Sequence, residues 1–308
     1  MPPAAIRRRG PASLLVRGLD WLLRKLSRGR LALRGQTVLK VGILIVMSFL
    51  IMTLLANQFP SLNGYHPTLY RDATRLEGPT TAHWMGADQL QRDVFSRILS
   101  GGRASLIVAF SAVALSMTIG SVLGWISGFT GGWLDRVMSL TMDAIYSFPS
   151  MILAIVLVAM FGSGLAPMIW AVGFVYIPTY FRVTRAEVLQ VRETAYIEAI
   201  RAVGASRTRI IWRHVAPNTV NAIMAVSSFN LADAILTVAA LSFLGYGLPP
   251  PAPDWGFDIQ NGQKYLQSGA WWLITFPGIM IILLSLGFGL IGEGVSDLVN
   301  PRRKRKQI

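Results

Sequence analysis

Residues 41–56 read VGILIVMSFLIMTLLA, without one charged side chain. A helix needs about 20 mostly apolar residues to cross the hydrocarbon core of a bilayer, and the apolar segment extends over 38–58. Charged residues make up only 14% of the 308-residue chain, against about a quarter in soluble domains. The mean hydropathy of +0.49 agrees with this shortage. The sequence therefore predicts an integral membrane protein.

Further apolar segments of sufficient length follow the first one. They cover 103–128, 136–161, 165–186, 218–245 and 271–297. We therefore predict an all-α fold with six transmembrane helices. The corresponding division of the chain is a basic tail at 1–37, a first helix at 38–58, a loop at 59–102, a five-helix core at 103–299 and a basic tail at 300–308.

The basic residues are unevenly distributed between these segments. Of the 29 Lys and Arg residues, 23 lie in residues 1–40, near residue 136, in 182–213 and after Pro301. The other 6 lie in 59–103 and 246–270. Because cationic loops remain on the cytoplasmic side, both termini are predicted to be cytoplasmic and the loops at 59–102 and 246–270 external. The same distribution explains the net charge of +14 without a nucleic-acid partner.

Several kinds of chemical site are not supported by the sequence. The chain has no Cys, and its His residues, His66, His83 and His214, lie far apart. No Gly-x4-Gly-Lys-Ser/Thr phosphate loop occurs either. We predict no catalytic residue, no metal site and no cofactor bound by this chain.

One hydrophilic segment is longer than a simple helix connection requires. It lies at about 193–217 and predicts two short helices, Glu193 to Val203 and Ser206 to Arg213, the second ended by Pro217. Gly204 between them suits a sharp turn with positive φ. The small residues of the first helix favour docking against another protein, although an ordinary amphipathic surface loop fits the same pattern.

The segment contains a recognisable motif. Residues 196–206, YIEAIRAVGAS, and 214–218, HVAPN, resemble the EAA loop of ABC import permeases. Glu198, Ala199, Gly204 and Pro217 match the pattern, whereas Ile200 replaces an Ala. A second departure is Ala216 in place of the usual Leu. The resemblance implies a coupling helix that inserts into a cytoplasmic ATPase, with these candidate coupling residues: Glu198, Ala199, Arg201, Gly204, Ala205 and Pro217.

Other stretches narrow the resemblance to permeases of the dipeptide and oligopeptide type. They are HWMGAD at 83–88, RDVFSR at 92–97, GGWLD at 131–135, ALSFLGYG at 240–247 and GEG at 292–294. The likeness covers about 80–303. It departs at Val238, where the family often has Glu, and at Ala87 and Gln91.

This resemblance implies a type I ABC importer permease fold in the bacterial plasma (inner) membrane. The implied partners are a homologous permease in a heterodimer, an external substrate-binding protein, the lipid bilayer and two ATPase subunits that hold ATP and Mg. The implied substrates are di- and oligopeptides. Alternatives are nickel or another small solute carried by the same family, or a proton-coupled secondary transporter. An intramembrane enzyme has the least support.

Polar and small residues inside the spans supply the remaining candidates. Ser116, Gly120, Gly124 and Gly128 recur every four residues, and this spacing favours close helix packing over a pore-facing role. Asp143 and Asp233 are ionisable residues within or near spans, which are costly unless paired or wetted. We expect them at the transport pathway or at a subunit interface, and they would be the relay of a proton-coupled transporter.

Overall fold

The computed structural model describes residues 36–55, 68 and 73–299. The predicted tails at 1–37 and 300–308, except residues 36 and 37, and much of the first half of the 59–102 loop lie outside the described residues. Within the described part the chain is helical and holds no β-strand. The helices are α1 (Gln36–Leu55), α2 (Val94–Thr130), α3 (Gly132–Tyr146), α4 (Ser150–Phe161), α5 (Leu165–Arg192), α6 (Ala195–Ala202), α7 (Arg207–Ile210), α8 (Ala216–Phe243), α9 (Trp255–Gln263) and α10 (Trp272–Val299).

Four described helices are long and apolar enough to cross a membrane: α1, α2, the continuous rod of α7 and α8 (Arg207–Phe243), and α10. The pair α3 and α4 makes a fifth candidate if its two parts form one broken span. Helix α5 is long enough but carries four charged residues in its last eleven, beginning at Arg182. Its charge-free part, from Leu165 to Phe181, lies against the bundle.

The third predicted span, 136–161, is not a straight helix. Helices α3 and α4 meet at an angle of 88°. The break contains Phe148 and Pro149, and Pro149 precedes the first residue of α4 with extended backbone. Proline disfavours helical backbone in the residue before it, which explains why the helix stops here. The predicted span 136–161 thus consists of two helices that Pro149 separates.

Helix α2 begins nine residues before the predicted start of its span. Asp93 caps it by accepting a hydrogen bond from the backbone N–H of Ser96. Arg97, in the first turn of α2, is buried and paired with Asp258 at 2.6 Å. Because its charge is neutralised inside the protein, Arg97 does not oppose the extension of the helix.

Two helix pairs build the core. Helix α2 packs along α5, and α8 packs against α10. Helix α1 lies on α10, where an added Cβ at Gly42 would meet the carbonyl oxygen of Gly287 at 2.8 Å. Helix α9 crosses the N-terminal end of α2 and also contacts α8 and α10. The core thus leaves the C-terminal ends of α2 and α5 to meet the 193–217 segment.

Candidate functional site

Helix α6 is fastened to the bundle by a single buried side chain. Ile197 is fully buried, whereas the other residues of α6 are exposed or half-buried. It lies in an apolar cluster that joins the ends of α2 and α5 to the helices that follow α6. The buried members of this cluster are Phe129, Val188, Ile197, Ile210 and Val215. Movement of α6 is therefore linked by packing to α2, α5 and α8.

The end of α6 is a Schellman motif. The backbone N–H of Ala205 donates to the carbonyl of Ile200 at 3.4 Å, and that of Gly204 donates to Arg201 at 3.0 Å. Gly204 has φ +81°, as the sequence predicts. Ile200 and Ala205 both pack on the cluster around Ile197, which adds the apolar contact that accompanies this motif. Gly204 therefore sets the angle between α6 and α7.

The opposite face of α6 is left open. Glu198, Ala199 and Ala202 are exposed, and the side chain of Val203 is 84% exposed. The side chain of Glu198 makes no hydrogen bond or ion pair with any described residue. An exposed helix with small side chains permits close approach of another protein surface.

Two aromatic contacts orient the segment. The guanidinium of Arg201 lies 5.7 Å from the ring centre of Phe129 at the end of α2. The hydroxyl of Tyr196 lies 2.6 Å from Nδ1 of His214. Sequence reasoning included Arg201 only through the motif and missed Tyr196 and His214 as a pair. The helical periodicity does not reveal a contact between two segments separated by a turn.

The prediction for the second short helix was wrong. Pro217 does not end it, because α7 continues through a π-helical segment, Ile211–Val215, into α8. Pro217 occupies the first turn of α8. Proline has no N–H to donate, so the helical hydrogen-bond pattern changes next to Pro217. The π turn accommodates this change, because the N–H of Ala216 donates to the carbonyl of Ile211. Helix α7 therefore leads into the membrane helix α8 without a break.

The small-residue stripe of α2 lies against α5. A Cβ added to Gly120 would come within 2.6 Å of the Ile177 carbonyl oxygen, and one added to Gly124 within 2.8 Å of the Thr184 Cβ. Gly128 is similarly close to Val188, at 3.0 Å, and Ser116 is fully buried. At the three glycines the two helices approach so closely that a larger side chain has no room.

The two acidic candidates lie in different environments. Asp143 pairs with Arg182 at 2.6 Å, and both side chains are largely exposed. Asp233 instead accepts a hydrogen bond of 2.6 Å from the Tyr176 hydroxyl. No described contact brings the two carboxylates together. A third acidic residue, Asp135, which was not a candidate, binds Arg185 through both carboxylate oxygens.

At the end of the bundle opposite α6, motif residues distant in sequence meet. Trp255 in α9 lies under Gly101 and Gly102 of α2, and its Nε1 donates to the carbonyl of Ile98 at 3.0 Å. Trp272 donates to the carbonyl of Ala87 at 3.2 Å. Trp272 thus holds the 83–88 motif, and Trp255 holds the part of α2 that follows the 92–97 motif. In the described part of the chain no group of three or more His, Cys, Asp or Glu residues is placed to hold a metal ion.

The chain matches a known protein family and is similar to several known transport proteins. Residues 120–305 match the family described as binding-protein-dependent transport system inner membrane component. The chain is similar to the dipeptide transport system permease protein DppC of Alkalihalophilus pseudofirmus, with 38% identity over 86% of each chain. It is also similar to the glutathione transport system permease protein GsiD of Pectobacterium atrosepticum, with 39% identity over 79% of this chain and 81% of the relative.

A third relative is the probable D,D-dipeptide transport system permease protein DdpC of Escherichia coli, with 35% identity over 89% of this chain and 91% of the relative. Among solved structures, the MetNI methionine ABC transporter in inward-facing conformations matches with a TM-score of 0.55. That match covers 66% of this chain and 96% of the other at 19% identity, so it supports the fold. The fold class agrees with the expectation of a type I importer permease. The chain belongs to the family of inner membrane components of binding-protein-dependent transport systems.

Proposed function

We propose that this chain is the permease subunit of an ATP-driven importer and that, with a homologous permease, it forms the translocation pathway for peptides. An external binding protein delivers the peptide, and separate ATPase subunits bind ATP and Mg. The relatives described above are named for the transport of dipeptides, D,D-dipeptides and glutathione. A peptide substrate is therefore favoured over nickel or another small solute.

The observation that carries this proposal is the open face of α6. An apolar anchor at Ile197 holds one side of α6, and a glycine turn fixes its end, while Glu198 and Ala199 face outward. This arrangement suits insertion into a cleft of an ATPase. Arg201, Ala205 and Pro217 act as positioning residues, since they hold the helix, its turn and its link to α8.

The glycine stripe supports the mechanical part of the proposal. Force applied at α6 reaches α5 and α2 through the cluster around Ile197. The close α2–α5 contact at Gly120, Gly124 and Gly128 then makes these two helices move as one unit. In this arrangement both termini and α6 are cytoplasmic, and α9 lies on the external side where the binding protein docks.

Reconstitution of the complete complex in proteoliposomes tests the function. Uptake of a labelled dipeptide is expected to require ATP and the binding protein, and to continue after an ionophore collapses the proton gradient. A proton-coupled transporter behaves in the opposite way. Uptake by this chain without ATPase subunits, or uptake that stops with the proton gradient, would refute the proposal.

A further inference from the structure

A line of polar side chains runs along the contact between α5 and α8. We call it the polar seam, and on α8 its members are Ser227, Asn230, Asp233 and Thr237. Their spacing of three, three and four residues places them on one helix face. On α5, the Tyr180 hydroxyl donates to Ser227 Oγ at 3.1 Å. The Tyr176 hydroxyl lies 2.6 Å from Asp233 Oδ2 and 3.3 Å from Thr237 Oγ1.

The depth of Asp233 is fixed by its place in α8. With a rise of about 1.5 Å per residue, it lies roughly 26 Å along the helix from Ala216 and roughly 15 Å before Phe243. The hydrocarbon core is about 30 Å thick. Helix α8 belongs to a rod long and apolar enough to span that core. The carboxylate therefore lies at the level of the membrane interior.

Asp233 is nevertheless exposed on the surface of this chain. Tyr176 occupies Oδ2, and Oδ1 makes no hydrogen bond or ion pair with any described residue. Arg182, which lies on α5 beyond Tyr176, is engaged by Asp143. A carboxylate that faces lipid at this depth is strongly disfavoured. This face of α8 therefore lies against water or against another polar group.

A second polar atom of the seam lacks a partner. Asn230, one turn before Asp233, is only 9% exposed, and its Nδ2 has no hydrogen-bond partner among the described residues. Buried polar groups are normally hydrogen-bonded. The seam is therefore not fully satisfied within the described part of the chain, and its exposed group is the carboxylate of Asp233.

We propose that Asp233 faces the translocation pathway and accepts the protonated amine of a transported peptide. The proposal rests on the proposed function, from which the substrate class comes. Tyr176 holds one carboxylate oxygen in place and leaves the other for the ammonium group. The seam then binds the peptide only transiently, because it holds the peptide through a single charge-assisted contact.

The first test compares Asp233→Asn with Asp233→Glu in the reconstituted complex, with a labelled dipeptide. Asn keeps the size of the side chain and an acceptor for Tyr176 but removes the charge. Because hydrogen bonds to charged groups are the strong ones, we expect peptide uptake per ATP hydrolysed to fall about tenfold. ATPase stimulation by the loaded binding protein should stay at the wild-type level, and Asp233→Glu should restore most of the uptake. Glu187→Gln, which removes a carboxylate elsewhere on α5, is the control and should transport normally.

The second test uses the absence of cysteine from the chain. A single thiol is introduced by Asp233→Cys, and a charged, membrane-impermeant methanethiosulfonate is added to the assembled complex. We expect rapid reaction at this position, since the reagent requires water. The control is Leu44→Cys, at a side chain of α1 that is 70% exposed and belongs to an apolar span. It should react slowly.

The outcomes separate the competing explanations. An unreactive thiol at position 233, or Asp233→Asn uptake within about twofold of wild type, overturns the proposal. Loss of the partner permease from purified Asp233→Asn complexes also overturns it, because Asp233 then binds a polar group of that partner and not the amine of a peptide. If the wild-type complex imports no peptide, the proposed function fails, whereas the thiol reaction still reports whether Asp233 meets water.

Discussion

The guanidinium of Arg185 in α5 donates to both carboxylate oxygens of Asp135 in α3, with Nε–Oδ1 at 2.6 Å and Nη2–Oδ2 at 2.7 Å. Ser127 at the end of α2 donates a further hydrogen bond to Asp135. One carboxylate thus ties three helices together. This matters because α3 meets α4 at an angle of 88°, so the contacts of α3 with α2 and α5 are what hold it in place.

Asp135→Asn is expected to loosen α3. The pair is mostly buried, with side-chain exposures of 32% for Arg185 and 15% for Asp135. Loss of its charge should destabilise the protein by about 1–3 kcal/mol. The thermal unfolding midpoint in detergent measures this. Asp143→Asn is the matched control, because it breaks a more exposed pair between the same helices and should cost less than about 1 kcal/mol. Equal losses for both variants would contradict the tether.

Gly204→Val should uncouple the permease from its ATPase while membrane insertion stays intact. No atom lies within 4 Å of an added Cβ at Gly204, so the cost arises from positive φ alone, about 1–3 kcal/mol. Co-purification of the ATPase and peptide uptake are the measurements. Gly204→Asn is the control, since Asn tolerates this backbone region, and it should retain most of both. If Gly204→Val binds the ATPase and imports peptide as well as the wild type, the turn at Gly204 has no role in coupling.

Glu198→Ala should leave the fold unchanged, because this exposed side chain makes no contact that holds α6 to the described part of the chain. It should weaken ATPase association, and interface losses of this kind reach about 2 kcal/mol. We expect a milder defect than that of Gly204→Val, since the turn survives. Glu193→Ala removes another exposed carboxylate, the one paired with Arg192, and serves as comparison. If the wild type, Glu198→Ala and Glu193→Ala bind the ATPase equally well, Glu198 is not a coupling residue.

Gly120→Ala should destabilise the α2–α5 contact. The new methyl group would lie 2.6 Å from the Ile177 carbonyl oxygen, which cannot move without its helix. Overpacking of this kind costs about 1–3 kcal/mol. Gly289→Ala is the control in α10, where no atom lies within 4 Å of the added Cβ. It should be neutral or slightly stabilising, as measured by thermal unfolding of the purified chain. Equal tolerance of both changes would argue against close packing.

The predicted topology can be tested with single cysteines in this cysteine-free chain. Ser206→Cys, in the turn after α6, should resist impermeant thiol reagents in intact cells and react after the membrane is opened. Asn63→Cys in the 59–102 loop and the exposed Ala82→Cys should react from outside. External labelling at position 206 would reverse the orientation and remove α6 from the cytoplasm.

Much of the local structure follows from local sequence. The run at 41–56 predicts α1, and the glycine of the EAA loop predicts the turn at φ +81°. Both depend on chemistry within a few residues. The sequence did not reveal that α2 extends to Val94, and the predicted helix end at Pro217 was wrong. Each depends on a distant or nonstandard contact: Asp258 neutralises Arg97, and a π turn accommodates Pro217.

The sequence by itself determined that the chain lies in a membrane, where its long apolar segments are and which family motifs it carries, since apolar length, charge distribution and glycine position are local properties. Only the tertiary structure decided which side of α6 is anchored by Ile197, that Asp135 is tied to Arg185, and that Asp233 stands exposed beside Tyr176. Those relationships join residues on different helices. They arise from the way the helix surfaces pack, which no run of adjacent residues specifies.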